Sequence, residues 1–200
     1  MQRILLIVTL VLTVLIGALI YQRMNIVDEE LVKESAAPAI VMEIKNYPSF
    51  TLPDVNGIEH ELVEWDGRPR LLNFWATWCA PCRREIPLLK SLQDEQGSEG
   101  IQVIGIAVDF PEQVAVYAET VIFNYPVLVG QEDAMAVAES SGIEFIGMPF
   151  TMILAADGEL LNAHIGEIFK EDLDIIVAVL EQLERGDIDK QSARAGLHDL

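Results

Sequence analysis

The stretch "WATWCAPCRREIPLL", residues 75–89, holds both cysteines of the chain, Cys79 and Cys82, with two residues between them. Such a pair can be a structural staple, half of a metal site, or a disulfide that opens and closes. As a staple it is weak, because closing so short a loop removes little entropy from the unfolded chain. A structural zinc ion needs about four ligands and one C-x-x-C supplies two. The three histidines, His60, His164 and His198, are not spaced as a second ligand pair. The redox reading has a positive physical case. Cys79 follows an apolar run and stands where a helix begins, so that free backbone N–H groups and the helix dipole favour its thiolate. Cys82 comes one turn later, within reach of a mixed disulfide formed at Cys79, so a thiol partner leaves after two exchange steps. Pro81 restrains the loop and, in the first turn, costs no helical hydrogen bond. Pro87 lies too deep for that and implies a kink. The pair reads as a working disulfide.

Working outward, "RLLNFWA" (70–76) and "IQVIGIAVD" (101–109) are short, nearly continuous apolar runs, as expected of strands buried on both faces. Between them a helix from Ala80 to Gln96 is long enough for a crossover and stops near Gly97 and Gly100. Upstream, "FTLPDVNGIEHELVEW" (50–65) reads as two extended runs turning at Asn56-Gly57. Downstream come a helix over 112–123 entered at Pro111 and a short helix over 133–140 stopped by Gly142. A strand–turn–strand follows over 150–166 around Asp157-Gly158. An amphipathic helix over 170–184 then carries Leu173, Ile176, Val177 and Leu180 on one face. The chain beyond Arg185 reads as a polar, loose tail. This alternation gives an α/β domain over residues 46–184, with a mixed sheet covered on both sides.

"ILLIVTLVLTVLIGALI" (4–20) carries no charge and lies between Arg3 and Arg23. With its flanks it is long enough for a hydrocarbon core of roughly 30 Å. No A-x-A cleavage signal follows it, so residues 1–23 read as an uncleaved signal anchor and 24–45 as a tether. The expected location is a bacterial inner (cytoplasmic) membrane, single-pass, with the redox domain on the periplasmic side. The formal net charge is −19, and no Lys or Arg occurs from Ser91 to Phe169. A chain so acidic has no basic surface for phosphates, which excludes nucleic acid as a partner. The plain reading is that the acidic surface confers solubility; the sharper one is that Arg68, Arg70, Arg83 and Arg84, which crowd the cysteine segment, form a less acidic rim that helps to select an oxidised partner.

"NFWATWCAPCRREIP" (73–87) resembles the active-site segment of thioredoxin-like proteins, and most of all the membrane-anchored branch of the TlpA, ResA and DsbE (CcmG) types. "FTLPDVNG" (50–57) and "GMPFTMIL" (147–154) resemble that branch as well. The resemblance implies a thioredoxin-like fold with a mixed central sheet, helices on both faces and an N-terminal hairpin extension, preceded by one transmembrane helix. It also implies thiol–disulfide oxidoreductase activity without a cofactor. Carried over by position, Cys79 is the exposed nucleophile and Cys82 the resolving thiol. Pro149 is a cis-proline facing the disulfide, and Met148 offers backbone to a bound substrate. Glu85, three residues after Cys82, is an acid that tunes the pair; the plainer alternative is a glutamate exposed on the helix surface. Asn73 stands where ordinary thioredoxins carry a buried aspartate; it cannot take up a proton, so proton handling falls to Glu85 or to water. Trp75 is expected in the core and Trp78 on a contact surface beside Cys79.

The resulting expectation is a reductant of client disulfides, of the cytochrome c maturation type, with apocytochrome c as client and a membrane reductase as electron donor. Two other readings are open. A peroxidase of this fold needs a proline and a threonine or serine ahead of a single reactive cysteine, and "LNFWATWC" lacks the proline. A copper or haem chaperone would use the thiols as ligands; copper carriers of this fold space their cysteines by three and add a distant histidine.

Overall fold

The computed structural model describes residues 49–140, 142, 145–198 and 200. The expected anchor, the tether and the first residues of the domain lie outside the described residues. The chain opens with β1 (Thr51–Pro53) and β2 (Glu59–Glu61), paired antiparallel. Asp54 closes the turn between them: its Oδ1 accepts from the backbone N–H groups of Asn56 and Ile58, at 2.8 and 2.9 Å. Gly57, at φ +80°, supplies the left-handed residue that the turn requires. A short 3-10 turn, Leu62–Trp65, leads into β3 (Arg70–Trp75). Next come α1 (Ala80–Gln96), β4 (Gln102–Val108), α2 (Pro111–Val121), β5 (Val127–Gly130), α3 (Glu132–Ser140), β6 (Phe150–Leu154), β7 (Leu160–Ile165), α4 (Lys170–Glu184) and α5 (Lys190–Gly196).

The main sheet has the order β5-β4-β3-β6-β7, parallel through β5-β4-β3 and antiparallel through β3-β6-β7. It is the mixed sheet expected from the sequence, with the hairpin as a separate two-stranded ribbon that touches β5 through a bridge between Asp54 and Leu128. All six residues of β3 are buried, as its apolar run implied. Alternation along the strands divides the core. Leu71, Trp75, Val103, Ala107 and Ile153 belong to one cluster with buried residues of α1, α2, α4 and α5. Leu72, Phe74, Ile104, Ile106 and Met152 belong to the other, with Leu52 of the hairpin and with Ala134, Val137 and Ala138 of α3.

Three sequence expectations are corrected here. The stretch beyond Arg185 is not a loose tail. Asp189 caps α5 by accepting from the Ser192 N–H at 2.8 Å, and Ala193 and Leu197 are fully buried in the cluster under α4. Lys190 pairs with Asp157 and Glu159, and Arg194 with Glu159, so the turn between β6 and β7 is tied to α5. The arginine-rich rim is also smaller than the sequence suggests. Arg70 is buried at the start of β3 against Asp66, and Arg68 bonds the Gly97 and Gly100 carbonyls and Gln102. A strand of six residues is about 20 Å long, so these two stand at the opposite end of β3 from Cys79; only Arg83 and Arg84 share its helix. Finally, β5 has no counterpart in the sequence reading, because four residues are too few to show a period.

Two stability outcomes follow. Ile122, at the C-terminus of α2, holds φ +50° with its side chain 74% exposed. A β-branched residue there costs roughly 1–2 kcal/mol, so Ile122→Asn is expected to raise the denaturation midpoint by the equivalent of about 1 kcal/mol. Leu197→Ala is expected to destabilise by about 2–4 kcal/mol in urea denaturation, whereas truncating a free tail would change nothing.

Candidate active site

β3 delivers the chain directly to the cysteines. After Trp75 the backbone turns, closed by Cys79 N–H donating to the Ala76 carbonyl at 3.1 Å, and α1 begins at Ala80. Cys79 is the N-cap of α1: its Sγ accepts from the Cys82 N–H at 3.3 Å. Pro81 occupies the first turn, where it removes no intrahelical bond. Cys79 and Cys82 form a disulfide with Cα atoms 5.3 Å apart. Cys79, expected as an exposed nucleophile, is only 5% exposed, and Cys82 not at all. The difference has a local cause: the Cys79 sulfur is bonded to Cys82 and caps the first turn of α1, and the residue belongs to the buried apolar cluster. The aromatics beside it differ in exposure. Trp78 is 68% exposed, while Trp75 is buried against Tyr117 and Phe123, with ring centroids 5.5 Å from each.

Below the disulfide lies a buried polar network. Glu85 sits one helical turn beyond Cys82 and is fully buried. Its Oε1 accepts from Asn73 Nδ2 at 2.8 Å, and its Oε2 accepts from the Ile168 N–H at 2.8 Å. The second hydrogen of Asn73 Nδ2 goes to Thr151 Oγ1 at 2.9 Å, and Asn73 Oδ1 is buried without a partner among the described residues. Burial pushes the Glu85 carboxyl up to about 7, against the two donors that favour its charge; the nearby carboxylate of Glu167 adds to the rise. A glutamate exposed on the helix surface was the plainer alternative for this position, and the burial removes it.

Pro149 follows a cis peptide bond from Met148. The antiparallel register of Phe74 with Phe150 sets Pro149 level with Trp75, the end of β3 from which the cysteine loop departs. Met148 packs against the cluster that contains both cysteines. The segment is tied to α1 through residues 166–168. Gly166 N–H donates to the Pro149 carbonyl at 2.9 Å, Glu167 pairs with Arg84, with Nε to Oε1 at 2.9 Å, and Ile168 N–H meets Glu85. Residues adjacent on α1 therefore hold residues adjacent on this loop. No residue pattern marks the 166–168 stretch, whose role rests on the backbone N–H groups of Gly166 and Ile168 and on the Glu167 carboxylate. None marks Asp109 either: that residue, 5% exposed, bonds Thr77 in the cysteine loop.

Comparison with known proteins matches the geometry. Residues 45–162 match the AhpC/TSA family. The chain is 31% identical over 128 residues to the thiol-disulfide oxidoreductase ResA of Geobacillus kaustophilus, covering 64% of this chain and 71% of that protein. It is 30% identical to the thioredoxin-like protein YneN of Bacillus subtilis, over 67% of this chain and 78% of that one. Among solved structures, a thiol:disulfide interchange protein of the thioredoxin family from Chlorobium tepidum superposes with a TM-score of 0.62 at 30% identity, covering 68% of this chain and 94% of that one. A disulfide at a helix N-cap, an adjacent buried acid and these likenesses agree: the chain belongs to the AhpC/TSA family and is a thiol–disulfide oxidoreductase of the thioredoxin-like, ResA kind.

Proposed function

We propose that this protein is a membrane-anchored reductant of client disulfides, working outside the cytoplasm, with residues 4–20 as its anchor and a membrane reductase as its electron donor. The observation that carries the reading is Glu85, a buried carboxyl poised near neutrality one turn from the resolving cysteine. Reduction of a client proceeds in two exchanges. The Cys79 thiolate attacks one sulfur of the client disulfide, the client S–S bond breaks, and the other client sulfur leaves as a thiolate. Cys82, giving up its proton, then attacks Cys79 Sγ; the Cys79–Cys82 bond forms and the second client sulfur is released. The client has gained two electrons and the enzyme has lost them. Glu85, one helical turn from Cys82, is the proposed acceptor of the Cys82 proton, and a carboxyl raised to about 7 suits that task. Asn73 takes no part in proton exchange and orients the Glu85 carboxyl.

The cis Met148-Pro149 segment offers backbone groups beside the loop to an extended client, and the exposed Trp78 covers apolar client surface. The relatives named thiol-disulfide oxidoreductase ResA and a neighbour described as a putative thiol:disulfide interchange protein DsbE from Chlorobium tepidum, 25% identical with a TM-score of 0.58, support an exchange role on protein disulfides. Within that reading the cysteines of apocytochrome c are the client proposed.

The reduction potential of the full chain in detergent, equilibrated against dithiothreitol, tests the direction. A value near or below about −250 mV is expected; one near −120 mV, typical of strong oxidants, would overturn the reductant role. Glu85 is tested through stability. Its folded pKa of about 7 exceeds the ordinary 4.5 of the unfolded chain, so between the two the folded state holds the extra proton. Its contribution is complete below about pH 4.5 and is lost as pH rises through 7, a change of about 3 kcal/mol. Urea denaturation of the oxidised protein at pH 5 and pH 8 is expected to show this loss, and Glu85→Gln to flatten it.

A further inference from the structure

We infer that Asp109 is a positioning residue for Cys79, acting through Thr77. Register explains how they meet. Trp75 of β3 stands opposite Ala107 of β4 in the parallel ladder, so the residue two beyond each strand pair, 77 and 109, come level just past the sheet. There the Asp109 carboxylate collects three donors. Its Oδ2 accepts from the Thr77 N–H at 2.8 Å and from the Thr77 hydroxyl at 2.6 Å, and its Oδ1 accepts from the Phe110 N–H at 2.8 Å. Its own N–H donates to the Gly130 carbonyl at 3.0 Å, so the residue is anchored to β5 as well. A carboxylate this deeply buried is held by its donors, and hydrogen bonds to a charged acceptor are the strong kind.

The consequence falls on the turn Ala76–Cys79. That turn is fixed at its ends by β3 and by the Cys79 N–H to Ala76 carbonyl bond, and, among the described residues, at its middle by Thr77 on Asp109. Cys79 Sγ must remain at the cap of α1, against the Cys82 N–H, and also face an entering disulfide. Exchange requires the attacking sulfur in line with the scissile S–S bond, and small misplacements of a reacting atom cost large factors in rate. The Thr77–Asp109 clamp holds the sulfur in that line. The same carboxylate fixes the backbone before Trp78 and at Phe110, two aromatics that are both exposed.

The inference rests on thiol–disulfide exchange at Cys79 and is independent of the direction of electron flow. The experiment is the rate of reaction of the reduced full chain, in detergent, with glutathione disulfide across pH. The midpoint of the profile reports ionisation of Cys79; the plateau at high pH, where the thiolate is fully formed, reports presentation. Thr77→Val, which keeps the backbone donor and all charges, is expected to lower the plateau about 3- to 10-fold, and Thr77→Ser to restore it. Asp109→Asn is expected to lower the plateau at least as far. A Thr77→Val plateau equal to that of the unaltered chain overturns the inference. So does an Asp109→Asn profile that moves only in midpoint, since Asp109 would then act by charge alone.

Discussion

The sulfur of Cys79 serves as the N-cap of α1, and much of the molecule is arranged around that coincidence. An ordinary cap offers an oxygen to the free N–H groups of the first turn and stays out of chemistry. Here the capping atom is itself the reactive one. β3 must therefore end where the helix begins, with a single turn between. Burying β3 on both faces fixes that end in space, since every residue of the strand is held by packing.

A second constraint is that the two halves of the site come from distant parts of the chain. The cysteines ride on α1, while Pro149 opens β6. The stretch from Gly166 to Ile168 joins them, with one hydrogen bond to the proline carbonyl and one to Glu85, and with the Glu167–Arg84 pair outside. Because the exposed ion pair is worth little by itself, the buried bond from Ile168 N–H to Glu85 carries most of the attachment. The acid proposed to take the Cys82 proton thus also holds the loop.

Much of this was legible in the sequence where a pattern has a physical cause. Apolar runs of strand length marked β3 and β4, because strands buried on both faces cannot alternate. The hairpin turn showed in Asn56-Gly57, and the cysteines showed by spacing. What escaped was of two kinds. Short or polar elements left no period: β5 has four residues, and α5 buries only Ala193 and Leu197 behind a charged surface, although Asp189 three residues before Ser192 was a readable capping signal. Contacts made through space left no pattern at all. Arg68 and Arg70 look close to Cys79 along the chain and are a strand length away, while Asp109, thirty residues on, touches its loop. The burial of Glu85 belongs to the same class, since nothing in "CRREIP" says which way the carboxylate turns.

Asn73 has one further consequence. Both hydrogens of its amide are given away, to Glu85 and Thr151, and its carbonyl oxygen has no partner among the described residues. An aspartate here, beside Glu85, would put two carboxyls in the interior, and their protons would come off as a coupled pair belonging to neither residue. An amide breaks that coupling. In the network of Asn73, Thr151 and Glu85 the glutamate is then the one carboxyl, and its proton is not shared with a second carboxylate there.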